Sequence, residues 1–300
     1  MTDTPGSGAP GALVGMTVVT LAVNVPGPAA AARLRSLGAS IVKVEPPGGD
    51  PLSRSNPAWY RALASGQEVV RLDLKEPTDR ASLNNYLAEA DLLLTSSRSG
   101  ALARLGLAPE DLRREYPNLR GVAIVGYPAP REDEPGHDLT YMASFGLLSP
   151  PEMPRTLLAD LAGAERAVTA ALALLLERER GGGNDTWHAV VPLSEAAAFF
   201  GEPWRFGITR PGAELGGGLP GYNLYRAVDA WIAVAALEVH FWQKLQRELG
   251  LEDPSREELQ EIFGRETAKH WEEWAAERDL PIAALRDAPT AEATQTTKET

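Results

Sequence analysis

The sequence predicts an α/β protein: a Rossmann-like parallel sheet in a large domain, followed by a smaller α+β domain. Two patterns carry this. Through the first half, short β-branched runs alternate with helical segments at strand–helix–strand spacing. Those runs are mostly continuous rather than alternating in hydrophobicity, as strands covered on both faces should be. The length of 300 residues suits two domains, and the glycine- and proline-rich stretch 201–221 reads as a linker or loop between them.

The elements follow in order. Residues 1–12 (MTDTPGSGAPGA) read as a flexible tail, and the large domain is expected over 13–200. MTVVTLAV is the first strand, broken by Pro26-Gly27-Pro28. AAAARLRSLG is a short helix closed by Gly38. SIVKVE is a second strand, ended by Pro46-Pro47-Gly48-Gly49. After an irregular stretch, EVVRLDL is a third strand. Thr78 is expected to cap a helix reaching about Glu89. ADLLLTS and LRGVAIVGY are the fourth and fifth strands. Residues 161–180 form a long, largely buried helix with a glycine stop. WHAVVPL is a further strand, and SEAAAFF opens a helix at Ser194. The small domain, 222–290, is expected to hold a strand pair around WIAVAAL and three amphipathic helices. Residues 291–300 are polar and expected to be disordered.

Composition narrows the function classes. The chain has no cysteine, which excludes disulfides, a thiol nucleophile and thiolate metal or iron–sulfur sites. Four histidines leave little room for a multi-histidine metal centre. The formal charge of −12 disfavours nucleic acid and anionic membranes as partners. No run is long and apolar enough to span a bilayer, and the first residues lack signal-peptide character, so the expected compartment is the cytoplasm. No G-x-G-x-x-G follows the first strand, no P-loop is present, and no G-x-S-x-G elbow occurs. The sheet therefore lacks the usual phosphate and nucleophile fingerprints.

Three polar residues stand where polarity needs a reason. His137 lies in the turn PGHDLTYMASFG; the plain alternative makes it a surface residue with Asp138 as helix N-cap. Asp160 sits between Leu-Leu-Ala and Leu-Ala-Gly at the mouth of the long apolar helix. It is either an N-cap or a desolvated acid, base or nucleophile eased by the helix terminus. Glu238 ends the apolar run WIAVAALE, as a first-turn helix residue or as a carboxylate that orients a histidine or contacts a substrate.

The chain resembles the class III CoA-transferase superfamily, which contains formyl-CoA transferase, carnitine CoA-transferase and α-methylacyl-CoA racemase. The resemblance runs from about Gly15 to Asp287. It rests on GPAAAARLRSLGASIVKVEPPGGD, VVRLDLK, SRSGALARLGLAPEDL with the later YPNL, GHDLTYMASFG, LLADLAGAERAV and GGGLPGYNLYRAVDAWIAVAALEVHF. It implies that Asp160, in Asp160-Leu161-Ala162-Gly163, is the central carboxyl. In the transferases the equivalent residue is a nucleophile that forms a mixed anhydride. In the racemases it shares acid/base work with a histidine, here His137, backed by a glutamate, here Glu238. The G-H-D and A-x-E-x-x-F segments are similar to the racemase pattern, so α-carbon epimerisation of a 2-methylacyl-CoA is expected, with CoA transfer through Asp160 as the alternative and a non-catalytic relative as a third reading.

For CoA itself the resemblance points to backbone around Leu72 and Leu74, to Ser96, Arg98 and Arg104, and to Gly136 and Tyr141 near the thioester. No cofactor beyond the CoA of the substrate is implied, and no metal. An interlocked homodimer is implied, with the site shared between the large domain of one subunit and the small domain of the other. An acyl pocket is expected around Met142, Phe145, Trp204 and Tyr222. The family's basic stretch before the third strand is replaced by Ser65-Gly66-Gln67-Glu68, its Arg-Pro-Gly by Arg98-Ser99-Gly100, and its small-domain Asp-Gly by Asp229-Ala230. Weak CoA binding, or a shifted ligand, is the expectation from these changes. The chain is also short for the family, and the segment returning to the large domain is expected to be reduced.

Overall fold

The computed structural model describes residues 11–181 and 186–286. The chain divides into two compact units, one ending at Gly201 and the other beginning at Glu202. The tail expected over 1–12 lies outside the described residues except for 11 and 12. These two belong to a turn in which the Val14 N–H donates to the Gly11 carbonyl. The tail at 291–300, and the end of the expected small domain, also lie outside.

The first unit carries a six-stranded, all-parallel sheet: β1 (Thr17–Thr20), β2 (Ser40–Glu45), β3 (Glu68–Arg71), β4 (Leu92–Thr95), β5 (Arg120–Val125) and β6 (His188–Pro192). Their order is β3-β2-β1-β4-β5-β6, so the chain reverses direction across the sheet between β1 and β4. Between them run α1 (Pro26–Ser36), α2 (Leu52–Ser55), α3 (Pro57–Ala64), α4 (Pro77–Ala88), α5 (Ser99–Arg104) and α6 (Pro109–Glu115). After β5 come α7 (Asp138–Ser144) and α8 (Leu158–Glu179), and α9 (Leu193–Phe200) follows β6. Successive strand residues point to opposite faces. Val18, Leu92 and Leu94 therefore join the core under α1 and α8, while Val19 and Leu93 join the core under α4 to α6.

Several local expectations are corrected. Helix α1 begins at Pro26 itself, because proline is favoured at the first helical position, where no N–H is needed. Thr78 is not a cap: Pro77 opens α4 and Glu76 stands before it. The irregular stretch after β2 contains α2 and α3, the latter capped by the Asn56 side chain, which accepts from Trp59 N–H. Helix α8 begins at Leu158, so Asp160 is its third residue rather than its N-cap. The helix ends at Glu179, with Gly181 in the left-handed region at φ +68°. Near that end Arg178 pairs with Asp91 at 2.8 Å, and Asp91 accepts the Thr17 N–H at the start of β1 at 2.7 Å.

One buried feature lay outside the sequence expectations. Lys43 on β2 is fully buried and pairs with Glu45 at 2.9 Å and Asp50 at 2.7 Å. Tyr60 on α3 donates to Glu45 at 2.7 Å. Asp50 also accepts the N–H groups of Leu52 and Asn24. Asn24 sits just past β1 at φ +69°, a left-handed conformation that Asn tolerates better than most residues. The buried charges thus fix the turn where β1 gives way to α1.

The second unit holds an antiparallel sheet of β7 (Tyr222–Arg226), β8 (Trp231–Ala235) and β9 (Ile282–Ala284), in that order. Its helices are α10 (Glu202–Arg205), α11 (Val239–Leu249), α12 (Arg256–Phe263) and α13 (Ala268–Glu277). The residues expected as linker are structured from 202 onward, with α10 and a wound turn at Glu214–Gly218. Strand β9 was not foreseen, because three residues are too short a pattern to read. The core is aromatic: Phe263 lies 5.0 Å from both Tyr225 and Trp271, and the Trp271 indole donates to the Phe263 carbonyl. Among the described residues no helix is long and apolar enough to cross a membrane.

Candidate active site

A cleft of about 380 Å³ opens at the carboxyl ends of β1, β4 and β5. That is the position where open parallel sheets reverse and commonly bind ligands. It is lined by Ser96, Arg98, Gly136, His137, Tyr141 and Asp160, which brings six of the expected residues together. Leu72 and Leu74 line a neighbouring hollow of about 240 Å³ with Pro46, Pro47 and Lys75. Val23 and Ser97 border both, so the two adjoin.

Six expected residues fall elsewhere. Arg104 is exposed at the last position of α5 and lines neither hollow. Glu238 belongs to the second unit, where it is the exposed N-cap residue of α11. Met142 is buried in the first unit rather than facing a pocket. Phe145 is exposed there, and Trp204 and Tyr222 belong to the second unit.

The catalytic candidates are placed by two helix starts. His137 precedes α7, where the Thr140 hydroxyl accepts the His137 N–H at 3.0 Å and donates back to the His137 carbonyl at 2.8 Å. This reciprocal turn fixes the backbone that carries the imidazole. Asp138 is then the first residue of α7, and its carboxylate reaches across to accept the Asp160 N–H at 2.9 Å. The expectation that Asp138 caps its own helix is therefore corrected: it caps α8. Two glycines make room for Tyr141. A Cβ at Gly136 would lie 2.7 Å from its hydroxyl oxygen, and one at Gly126 would also collide with that oxygen. Gly163 of the D-x-x-G segment lies against Leu193, whose side chain would have to turn away from a methyl group there.

Electrostatics set Asp160 apart. Burial raises its pKa, the Asp138 charge raises it further, and His137 partly offsets both, leaving it at about 6. Desolvation thus outweighs the favourable field of the helix terminus. Tyr141 is pushed up to about 12 by burial and by Tyr127, Asp160 and Asp138. Around the neighbouring hollow Lys75 lines the wall and Arg71 reaches Glu45 at 3.9 Å. Lys75 and Arg71 therefore stand near that hollow although residues 65–68 carry no positive charge, and Glu45 and Asp73 also line it. Lys75 lies inside the VVRLDLK segment, so its place was readable as a motif but not as a contact.

A cleft with a near-neutral carboxyl and an imidazole, next to a largely apolar hollow that Lys75 lines, suits an acyl compound with a charged carrier. The sequence profile of CoA-transferase family III matches residues 13–300. The chain belongs to this family. It is 30% identical to the human α-methylacyl-CoA racemase over 289 residues, covering 87% of this chain and 74% of that one. It is 28% identical to the succinyl-CoA:mesaconate CoA-transferase of Haloarcula hispanica, covering 78% and 66%. The crystal structure of Rv3272 from Mycobacterium tuberculosis superposes with a TM-score of 0.78 at 25% identity, over 96% of this chain and 88% of that one. An enzyme of the class III CoA-transferase family is the conclusion these similarities carry.

Proposed function

We propose that this enzyme epimerises the α-carbon of 2-methylacyl-CoA thioesters by proton transfer between His137 and Asp160. The observation that carries the reading is the carboxyl of Asp160, raised to about 6 in a cleft that His137 also lines. A carboxyl there has come up into the range in which imidazoles exchange protons, so either group can act as acid or base. Neutral His137 takes the α-proton, and the C–H electron pair moves toward the thioester oxygen. Protonated Asp160 delivers a proton to the opposite face. Asp160 is left ionised and His137 protonated, which is the starting state for the reverse direction. Glu238 is proposed to orient His137 in the assembled enzyme.

CoA is proposed to lie across the two adjoining hollows, with its adenosine end near Leu72, Leu74 and Lys75. Arg98 meets phosphate, and Ser96, Gly136 and Tyr141 border the pantetheine and thioester. The enzyme is proposed to work as a homodimer without a separate cofactor. Exposed Phe199 and Phe200 on α9 supply apolar surface suited to subunit contact. The test is wash-in of solvent deuterium at the α-carbon of 2-methylacyl-CoA. Wild type should exchange, and His137→Ala and Asp160→Ala should each fall at least about 100-fold. Full exchange in either variant refutes the two-base scheme.

The alternative is CoA transfer, with the Asp160 carboxylate attacking the thioester carbonyl and releasing CoA thiolate as an acyl anhydride forms. The half-buried carboxyl at a helix start favours it, as do relatives named CoA-transferases. Hydroxylamine trapping that converts Asp160 to a hydroxamate only in the presence of acyl-CoA supports this course over epimerisation.

A further inference from the structure

Asp138 presents a problem that its own helix does not solve. It is only 5% exposed, yet it is an acidic residue. One oxygen accepts the Asp160 N–H, and the other is buried with no hydrogen-bond partner. Buried polar oxygens are nearly always paired, and an unpaired one costs stability. A neutral acceptor such as Asn would hold the Asp160 amide equally well. The charge itself therefore calls for an explanation, and the cleft contains one: a second carboxyl whose proton affinity is raised.

We propose that Asp138 is the positioning residue of the Asp160 centre, one oxygen pinning the backbone at the start of α8 and the other left buried and unpaired beside it. It acts through Asp160 rather than on the substrate. The inference rests on the reading of Asp160 as the reacting carboxyl. The groups that face this centre are His137, Asp138 and Tyr141 on and before α7, and Tyr127 after β5. Glu132, Glu134 and Arg98 stand on the cleft wall. Of the two that act on Asp160, His137 opposes the effect and Asp138 supports it. Removing charge from Asp138 should thus move Asp160 in one direction only.

The experiment follows the Asp160 carboxyl carbon by NMR titration of aspartate-labelled protein, assigned by its loss in Asp160→Asn. In Asp138→Asn the backbone acceptor survives and the charge does not. The Asp160 midpoint should move acidward by about one pH unit, with the Asp160 amide still protected from hydrogen exchange. In Asp138→Ala the same acidward shift should appear, and that amide should exchange at least about tenfold faster. The limb of the epimerisation pH profile governed by Asp160 should move with the NMR midpoint, which a purely structural tie would leave in place. Should Asp138→Asn fail to fold, Asp138→Ser offers a smaller acceptor with the same readout. A midpoint unchanged within about 0.2 pH unit overturns the proposal, as does a wild-type Asp160 amide that exchanges freely. Full activity in Asp160→Asn would instead remove the catalytic reading while the titration still decides this one.

Discussion

Replacing Asp160 by Asn should stabilise the protein while inactivating it, and the gain should depend on pH in a definite way. In the folded chain this carboxyl titrates near 6 rather than at its ordinary 3.8. The folded state therefore binds the proton more tightly than the unfolded state does. Below 3.8 both states are protonated and the difference vanishes. Between 3.8 and about 6 the folded state holds more protons, so wild-type stability falls as pH rises through that window. Above it the full cost is present. At about 1.4 kcal/mol per pKa unit, the rise from 3.8 to about 6 corresponds to at most about 3 kcal/mol. Asn has no such titration. Urea unfolding of both proteins at pH values from 4 to 8 should give curves that converge at the acid end and separate by about 1–3 kcal/mol near pH 8. Parallel stability curves would refute the argument, since they would mean that Asp160 ionises in the fold as easily as in the open chain. The same measurement tests whether an active-site group is kept at the expense of stability.

Three further outcomes follow from the packing and charge described above. Asp50→Ala should remove about 3–5 kcal/mol by leaving Lys43 without one of its two buried partners, read as a lower urea midpoint or as loss of soluble protein. Gly136→Ala should force Tyr141 from its niche, costing about 1–3 kcal/mol and lowering kcat together with stability; unchanged thermal and kinetic behaviour would contradict the close approach. Arg98→Ala should raise KM for the CoA thioester about tenfold while kcat changes little. That loss should shrink at high salt, where phosphate contacts are screened.

The parallel strands were legible because a strand covered on both faces is written as an uninterrupted apolar run, as in LLLT and VVT. Helices α2 and α3 were not, because α2 is a single turn, α3 buries none of its residues, and their ends depend on Asn56 and proline geometry. Strand β9 is held by pairing with β8 and by little in its own three residues. In the site, His137 and Asp160 stood out as polar residues in apolar company, and the fold brings them to one cleft. Asp138 was misread because its hydrogen-bond partner lies 22 residues away in α8. A sequence shows which residue can cap a helix, but not which helix. Lys43 escaped notice for a related reason: lysine is almost never fully buried, and its two carboxylate partners meet it only when the Pro46–Asp50 turn folds back on β2.

Helix α8 is held at both ends, by Asp138 at Asp160 and by Asp91 at Arg178. With 22 residues it is about 33 Å long. A rod pinned at two points cannot slip by a turn along its axis, the kind of shift by which packed helices otherwise switch. Asp160 is therefore a fixed post. The Asp138 side chain ties α7 to the head of α8, and His137 stands one residue before that tie. The spacing between His137 and Asp160 is therefore set by how α7 meets the held head of α8.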